Sequence, residues 1–226
     1  MKDGKNKRKL SDSHTFVMLV WIAAMIAVWE TGAFIVAGTK RTPQNVLPHI
    51  YQIIASIFDG KQVSAGQSAV QLVLSNAGAT LGRAAIGFLY GTAAGFILAL
   101  LMKMSGLIEK MIFPYLMLIQ MIPILGMAPI VLAITHDIGV SRIVIAALLT
   151  FYPVATNTLA GLNSVPKEKY ELMHSYAAGK RTIYLKMLIP TSIPYFFTGL
   201  KIAAPMAITA SILVDTLQGD GGLGCM

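Results

Sequence analysis

Five stretches of this sequence are apolar over the length of a bilayer crossing. A chain carrying them must satisfy its backbone hydrogen bonds inside helices, because lipid offers no substitute partner. They cover about residues 16–37, 81–102, 112–134, 141–162 and 193–217, each close to the roughly 20 residues a span requires. The expected fold class is all-α: a polytopic membrane protein of about five transmembrane helices, with a short helix pair between the last two. Composition agrees, since 55% of the 226 residues are hydrophobic, mean hydropathy is +0.67 and only 12% are charged, against roughly 25% charged in soluble domains. The net charge of +8 is parcelled out between apolar runs instead of gathered in one stripe. That distribution is a topology signal and excludes a nucleic-acid partner. Cys225 is the only cysteine, which excludes an internal disulfide and a cysteine-rich metal site. No metal or cofactor is expected.

The basic residues Lys2, Lys5, Lys7, Arg8 and Lys9 stand directly before the first run and place the amino terminus in the cytoplasm. Residues 1–15 read as a cytoplasmic basic segment and 16–226 as one transmembrane domain. A cleaved signal peptide also begins basic and then apolar, but this run is longer than a signal core and has no clear small-residue cleavage site, so a retained helix is expected. Glu30 lies near the outer end of that run; snorkelling to water or to a neighbouring helix is the ordinary outcome for a carboxylate there. Trp21 and Trp29 read equally as interfacial anchors or packing residues. Pro43, Pro48 and Gly60 mark a turn-rich outer segment around a short apolar helix, Val46 to Phe58, and Ala69 to Ala79 reads as a second interfacial helix.

Gly87, Gly91 and Gly95 recur every four residues in the second run, a spacing that lets another helix approach closely. Spacing alone leaves open whether the neighbour belongs to the same chain. Arg83, before them, stands at a pathway mouth or among headgroups. In the third run Pro114, Pro123, Gly126 and Pro129 argue against a smooth helix. Broken helices at membrane depth are tolerated where they line a cavity, so Gln120, Pro123 and Pro129 are candidates for a substrate-facing wall. Asn157 in the fourth run is a further candidate, with substrate or another helix as its hydrogen-bond partner. His136 and Asp137 form a turn too poor in ligands for a metal site.

One polar stretch, Val165 to Pro190 (VPKEKYELMHSYAAGKRTIYLKMLIP), interrupts the apolar pattern with seven charged residues. Tyr170, Met173, Tyr176 and Ala177 recur at helical spacing, Ala178-Gly179 breaks the run, and Ile183, Met187 and Leu188 restart it. Pro190 is expected to close the second helix. The stretch resembles the cytoplasmic loop of permease subunits of bacterial ABC importers, written Glu-Ala-Ala, three residues, Gly, nine residues, then a hydrophobic close ending in Pro. Glu171 falls on the leading Glu, Leu172 and Met173 on the two Ala positions, Ala177 on the Gly, and Leu188, Ile189 and Pro190 on the close. Gly179 follows two residues after the family's glycine position, which would shift the bend or alter the docking surface. Thr80, Leu81, Arg83, Gly87, Phe88 and Gly91 reproduce a second family pattern, Leu47-Pro48 fits its entry, and Lys201 stands for a basic residue near the inner face.

The resemblance is to the branch serving nitrate, sulfonate, taurine and thiamine- or riboflavin-precursor uptake. It implies a separate cytoplasmic ATPase that docks on the loop through Glu171, Ala177, Gly179, Ile189 and Pro190. It implies too an extracytoplasmic solute-binding protein, a permease homodimer, and one more spanning helix after the Gly-Leu-Gly turn, before which this sequence stops. No phosphate-binding G-x-x-x-x-G-K-[ST] motif is present, so ATP is hydrolysed on another chain. An ion-coupled secondary transporter would need intramembrane acids, and only Glu30 lies well within a run, with Asp215 near an edge. A membrane enzyme would need clustered catalytic groups, whereas His14, His49, His136 and His174 are scattered.

Overall fold

A computed structural model of the chain describes residues 4–39, 46–59, 62–64, 66–218 and 221–225. The expectations for Lys2, Pro43 and Gly60 lie outside them. The chain forms two compact units, Met1–Leu72 and Val73–Met226.

In the first unit, α1 (Gly4–Thr39) contains the apolar span Thr15–Thr39. α2 (Ile50–Phe58) is shorter at its start than the sequence suggests, because Pro48 and His49 precede the first helical turn. The Glu30 carboxylate holds that turn: it accepts from the Ile50 N–H at 2.9 Å and pairs with His49 Nδ1 at 2.6 Å. Trp29 Nε1 donates to the Pro48 carbonyl at 3.0 Å. Glu30 thus serves as a side-chain cap for a neighbouring helix. A small antiparallel hairpin, β1 (Gln62–Ser64) with β2 (Gln67–Ser68), follows.

The second unit is a helical bundle. α3 (Ala69–Met104) is one continuous helix of 36 residues, so Ala69–Ala79 is its first part and not a separate interfacial helix. α4 (Gly106–Met121) and α5 (Ile124–Thr135) meet at Ile122-Pro123 with a bend of 108°. Proline lacks the N–H that would continue the helix and forces its predecessor into extended geometry; Ile122 adopts ψ 123°. His136, in the left-handed region at φ 53°, ends α5. Asp137 starts α6 (Ile138–Asn163) by accepting from the Val140 N–H at 2.8 Å. This is a helix-capping turn. Among the described residues four helices are long and apolar enough to cross a membrane, or five with α4 and α5 taken as one broken span.

α7 (Lys167–Ser175) and α8 (Lys180–Ile183) form the polar hairpin. α8 leads without a break through a π-helical turn, Tyr184–Leu188, into α9 (Ile189–Gln218). Pro190 therefore does not close the helix. The Ile189 N–H reaches back five residues to the Tyr184 carbonyl, and this widened turn accommodates the proline just behind it.

Two buried clusters fill the bundle. Near the hairpin, Met102, Leu116, Leu159, Leu162, Met187 and Leu188 pack together; at the other end Val131, Ile145, Val214 and several alanines do so. Large apolar side chains such as Leu89, Ile97, Leu118 and Ile134 point outward, the inverted surface expected where lipid is the solvent.

Candidate functional site

The hairpin is rigidly seated by its own turn chemistry. α7 ends in a Schellman arrangement: the Ala178 N–H donates to the Met173 carbonyl at 3.0 Å and the Ala177 N–H to the His174 carbonyl at 2.9 Å, which satisfies carbonyls that a helix end otherwise leaves bare. The geometry puts Ala177 at φ 49°, a conformation that disfavours any residue with a Cβ. The bend stays at the position where the family pattern has glycine. Gly179, at φ −71° and ψ 161°, is ordinary extended backbone that begins α8, with open space around it. Met173, Ala178, Tyr170 and Tyr184 pack on the buried cluster below, while Glu171, Leu172, Tyr176, Ala177 and Gly179 are exposed. Ile189 is half-buried and Pro190 exposed. The result is a fixed knob bearing the Glu171 carboxylate and two large exposed apolar side chains, Leu172 and Tyr176.

The glycine ladder meets α6 of the same chain. A Cβ at Gly87 would lie 2.6 Å from Ala146 Cβ, one at Gly91 would lie 2.6 Å from Thr150 Cβ, and one at Gly95 would lie 2.6 Å from the Phe151 carbonyl oxygen. α6 meets α9 in the same manner: a Cβ at Gly199 would come within 2.9 Å of the Pro153 carbonyl oxygen. Asn157 sits beside that crossing, and its side-chain N–H donates to the Pro153 carbonyl at 2.7 Å. Gln120, Pro123 and Pro129 are exposed at and beyond the α4–α5 break. Asn157 itself is half-buried.

The end of the bundle away from the hairpin holds a charged site that the sequence analysis did not single out. Asp215 on α9 is completely buried, and its carboxylate pairs with Arg142 Nε on α6 at 2.7 Å; Arg142 is 1% exposed. The Thr80 hydroxyl on α3 donates to Asp215 at 2.7 Å, and Arg83 approaches at 3.6 Å. Arg83 thus turns into the protein and not toward headgroups. The same groups hold the glycine turn that follows α9. Arg142 Nη2 donates to the Gly221 carbonyl at 3.1 Å, Asn76 accepts from the Gly222 N–H at 2.8 Å, and Thr80 Oγ1 accepts from the Leu223 N–H at 3.1 Å. Gly222 has φ 123°, and a Cβ there would run into the Asp215 carboxylate. The signal in the sequence was one unmatched acid and one unmatched base in two different apolar helices, since each is costly alone and tolerable when paired.

Comparison with known proteins places these features in a family. Residues 91–226 match the model of the binding-protein-dependent transport system inner membrane component. The chain belongs to this family. The match takes in the α6–α9 scaffold, the hairpin and the glycine turn.

The permease is 30% identical over 201 residues to the formylaminopyrimidine transport permease protein ThiX of Halalkalibacterium halodurans, covering 88% of this chain and 75% of the relative. It is 29% identical to the nitrate import permease protein NrtB of Synechococcus elongatus, covering 91% and 73%. With the putative aliphatic sulfonates transport permease protein SsuC of Bacillus subtilis it shares 24% identity, over 90% and 70%. A solved structure described as an amino acid ABC transporter with histidines has the same fold, with a TM-score of 0.59 at 21% identity over 68% of this chain and 75% of that one. The chain is therefore a multi-pass permease subunit of an ABC importer, a transport protein and not an enzyme.

Proposed function

We propose that this permease moves a small solute of the nitrate, sulfonate, taurine or thiamine- and riboflavin-precursor class into the cytoplasm, driven by ATP hydrolysed on a separate subunit. The single observation that carries the coupling role is the knob at the α7–α8 bend. Glu171, Leu172 and Tyr176 are presented outward while Met173, Ala178 and Tyr184 fasten the same hairpin to the buried cluster. A surface of that kind suits a groove on a partner ATPase, and Ala177, Gly179, Ile189 and Pro190 shape the backbone that holds it out. ATP closes the partner dimer, and the permease responds because one of its two arrangements fits the closed form better.

The amino terminus and the hairpin lie on the cytoplasmic side, residues 16–226 act as one permease domain, and a solute-binding protein delivers on the opposite face. Gln120, Pro123 and Pro129 are exposed on the single chain, where a second copy in a homodimer would complete the pathway wall. The relatives' names for formylaminopyrimidine, nitrate and aliphatic sulfonates support the solute class.

The test is solute uptake in cells carrying the Glu171→Ala permease at wild-type membrane level, together with crosslinking from position 171 or 180. Loss of ATP-dependent uptake and capture of an ATPase are expected. Failure to capture one, with the hairpin labelled from the extracytoplasmic side, would overturn the proposal.

A further inference from the structure

Behind the coupling knob is a groove of about 850 Å³ between the end of α3 and the hairpin. Lys103, Lys180 and Arg181 line it with His174, Tyr170 and Tyr184, and no acidic side chain is among its lining residues. Lys103 Nζ donates to Asn163 at 2.7 Å and stands 5.8 Å from the centre of the Tyr170 ring. The same Asn163 amide donates to Glu109 at 3.5 Å, a carboxylate that is not among the groove's lining residues. Three cations thus line one groove whose wall supplies no carboxylate, a field that favours an anion placed among them.

Two further observations decide what kind of anion. The rest of the wall is apolar, made by Met104, Ile183, Leu185 and Leu188, and Met104 and Leu185 are largely exposed. Met104 is the last residue of α3, and Leu188 directly precedes α9. The groove thus opens where the spans end, its wall shared among cations, tyrosines and exposed apolar side chains, the composition of an interfacial site.

We infer that the groove binds the headgroup of an anionic phospholipid. The phosphodiester lies among Lys103, Lys180 and Arg181, and the start of the acyl chains lies against Leu185, which follows Lys180 and Arg181 toward the span. Arg181 contributes the planar fork suited to two phosphate oxygens. α7 then has two working faces. Tyr170 and His174, four residues apart, face the groove, while Leu172 and Tyr176 project from the other side, because two residues correspond to about 200° of helical rotation. A lipid seated in the groove supports the knob from behind. The height of the groove in the membrane rests on the topology proposed above; the binding chemistry does not.

The test is native mass spectrometry of the full chain in detergent, with phosphatidylglycerol and phosphatidylcholine supplied in equal amounts. The wild type is expected to retain phosphatidylglycerol preferentially. Two interfacial cations together correspond to a fall in that preference on the order of thirty-fold, expected in the exposed double variant K180A/R181A. The double variant K167A/K169A removes the same charge from α7 outside the groove and is expected to keep the preference. Equal losses in both variants would overturn the site, as would equal retention of the two lipids by the wild type. Displacement of phosphatidylglycerol by millimolar inorganic phosphate would show a free-anion site and overturn the lipid assignment. The readout involves neither ATP nor transport, so its failure leaves the importer reading standing, and failure of the uptake test leaves this one standing.

Discussion

Removing the Arg142 guanidinium should be among the most damaging single changes this permease can suffer. R142M keeps much of the side-chain volume but strands the Asp215 carboxylate, which is 0% exposed and loses its 2.7 Å partner. Breaking a buried pair from one side costs about 3–5 kcal/mol. Two contacts remain to moderate the loss, the Thr80 hydroxyl at 2.7 Å and Arg83 at 3.6 Å, so a value near the lower limit, about 3 kcal/mol, is expected. R83M should cost far less, about 0.5 kcal/mol, because that side chain is 27% exposed and its charge is partly screened. The double variant R142M/D215N removes both charges while leaving an acceptor for Thr80, and should recover at least about 2 kcal/mol of the loss. Reversible unfolding in mixed SDS micelles, followed by far-UV circular dichroism, measures the wild type, these three variants and the single variant D215N that closes the cycle. Equal costs for R142M and R83M, or additive costs in the double variant, would refute the argument that Arg142 and Asp215 are one buried unit.

Three further outcomes are expected. A177G should leave the hairpin as stable or slightly more so, since relief of the left-handed alanine, about 1 kcal/mol, is partly offset by the entropy of glycine; A177V should increase protease nicking between Ser175 and Lys180, and the reverse order would rule out the positive-φ bend. G91V should lower stability by about 3 kcal/mol because its side chain has no room against Thr150, whereas G82V, at a position with open space, should be nearly neutral in the same SDS titration. E30A should speed hydrogen exchange of the Ile50 amide by roughly fivefold, the loss of one hydrogen bond worth about 1 kcal/mol; unchanged exchange there would show that Glu30 is not its acceptor.

Much of this architecture was legible from local pattern. The proline-rich run between Pro114 and Pro129 announced a broken helix because proline's missing donor acts within its own turn. The polar stretch announced a hairpin because its charges could not lie among lipid tails. What escaped depended on distance or on compensation. Arg142 and Asp215 are far apart in sequence, and each alone looks like an edge residue facing headgroups. Pro190 looked like a terminator because a local rule has no view of the widened turn before it. Gly179 looked like the bend because glycine is the usual breaker, whereas the hydrogen bonds from Ala177 and Ala178 place the left-handed residue two positions earlier.

The π-helical turn at Tyr184–Leu188 also fixes an angle. Each residue added to or taken from a helix rotates everything beyond it by about 100°, and no loop stands between this turn and Asp215 to reset the phase. The direction in which the knob points and the direction in which Asp215 points are therefore one setting, read about 40 Å apart along a continuous helix. A deletion of one residue in α9 between the wide turn and Asp215 would barely alter the hydropathy of the span, yet the chain would have to misalign either its knob or its buried ion pair.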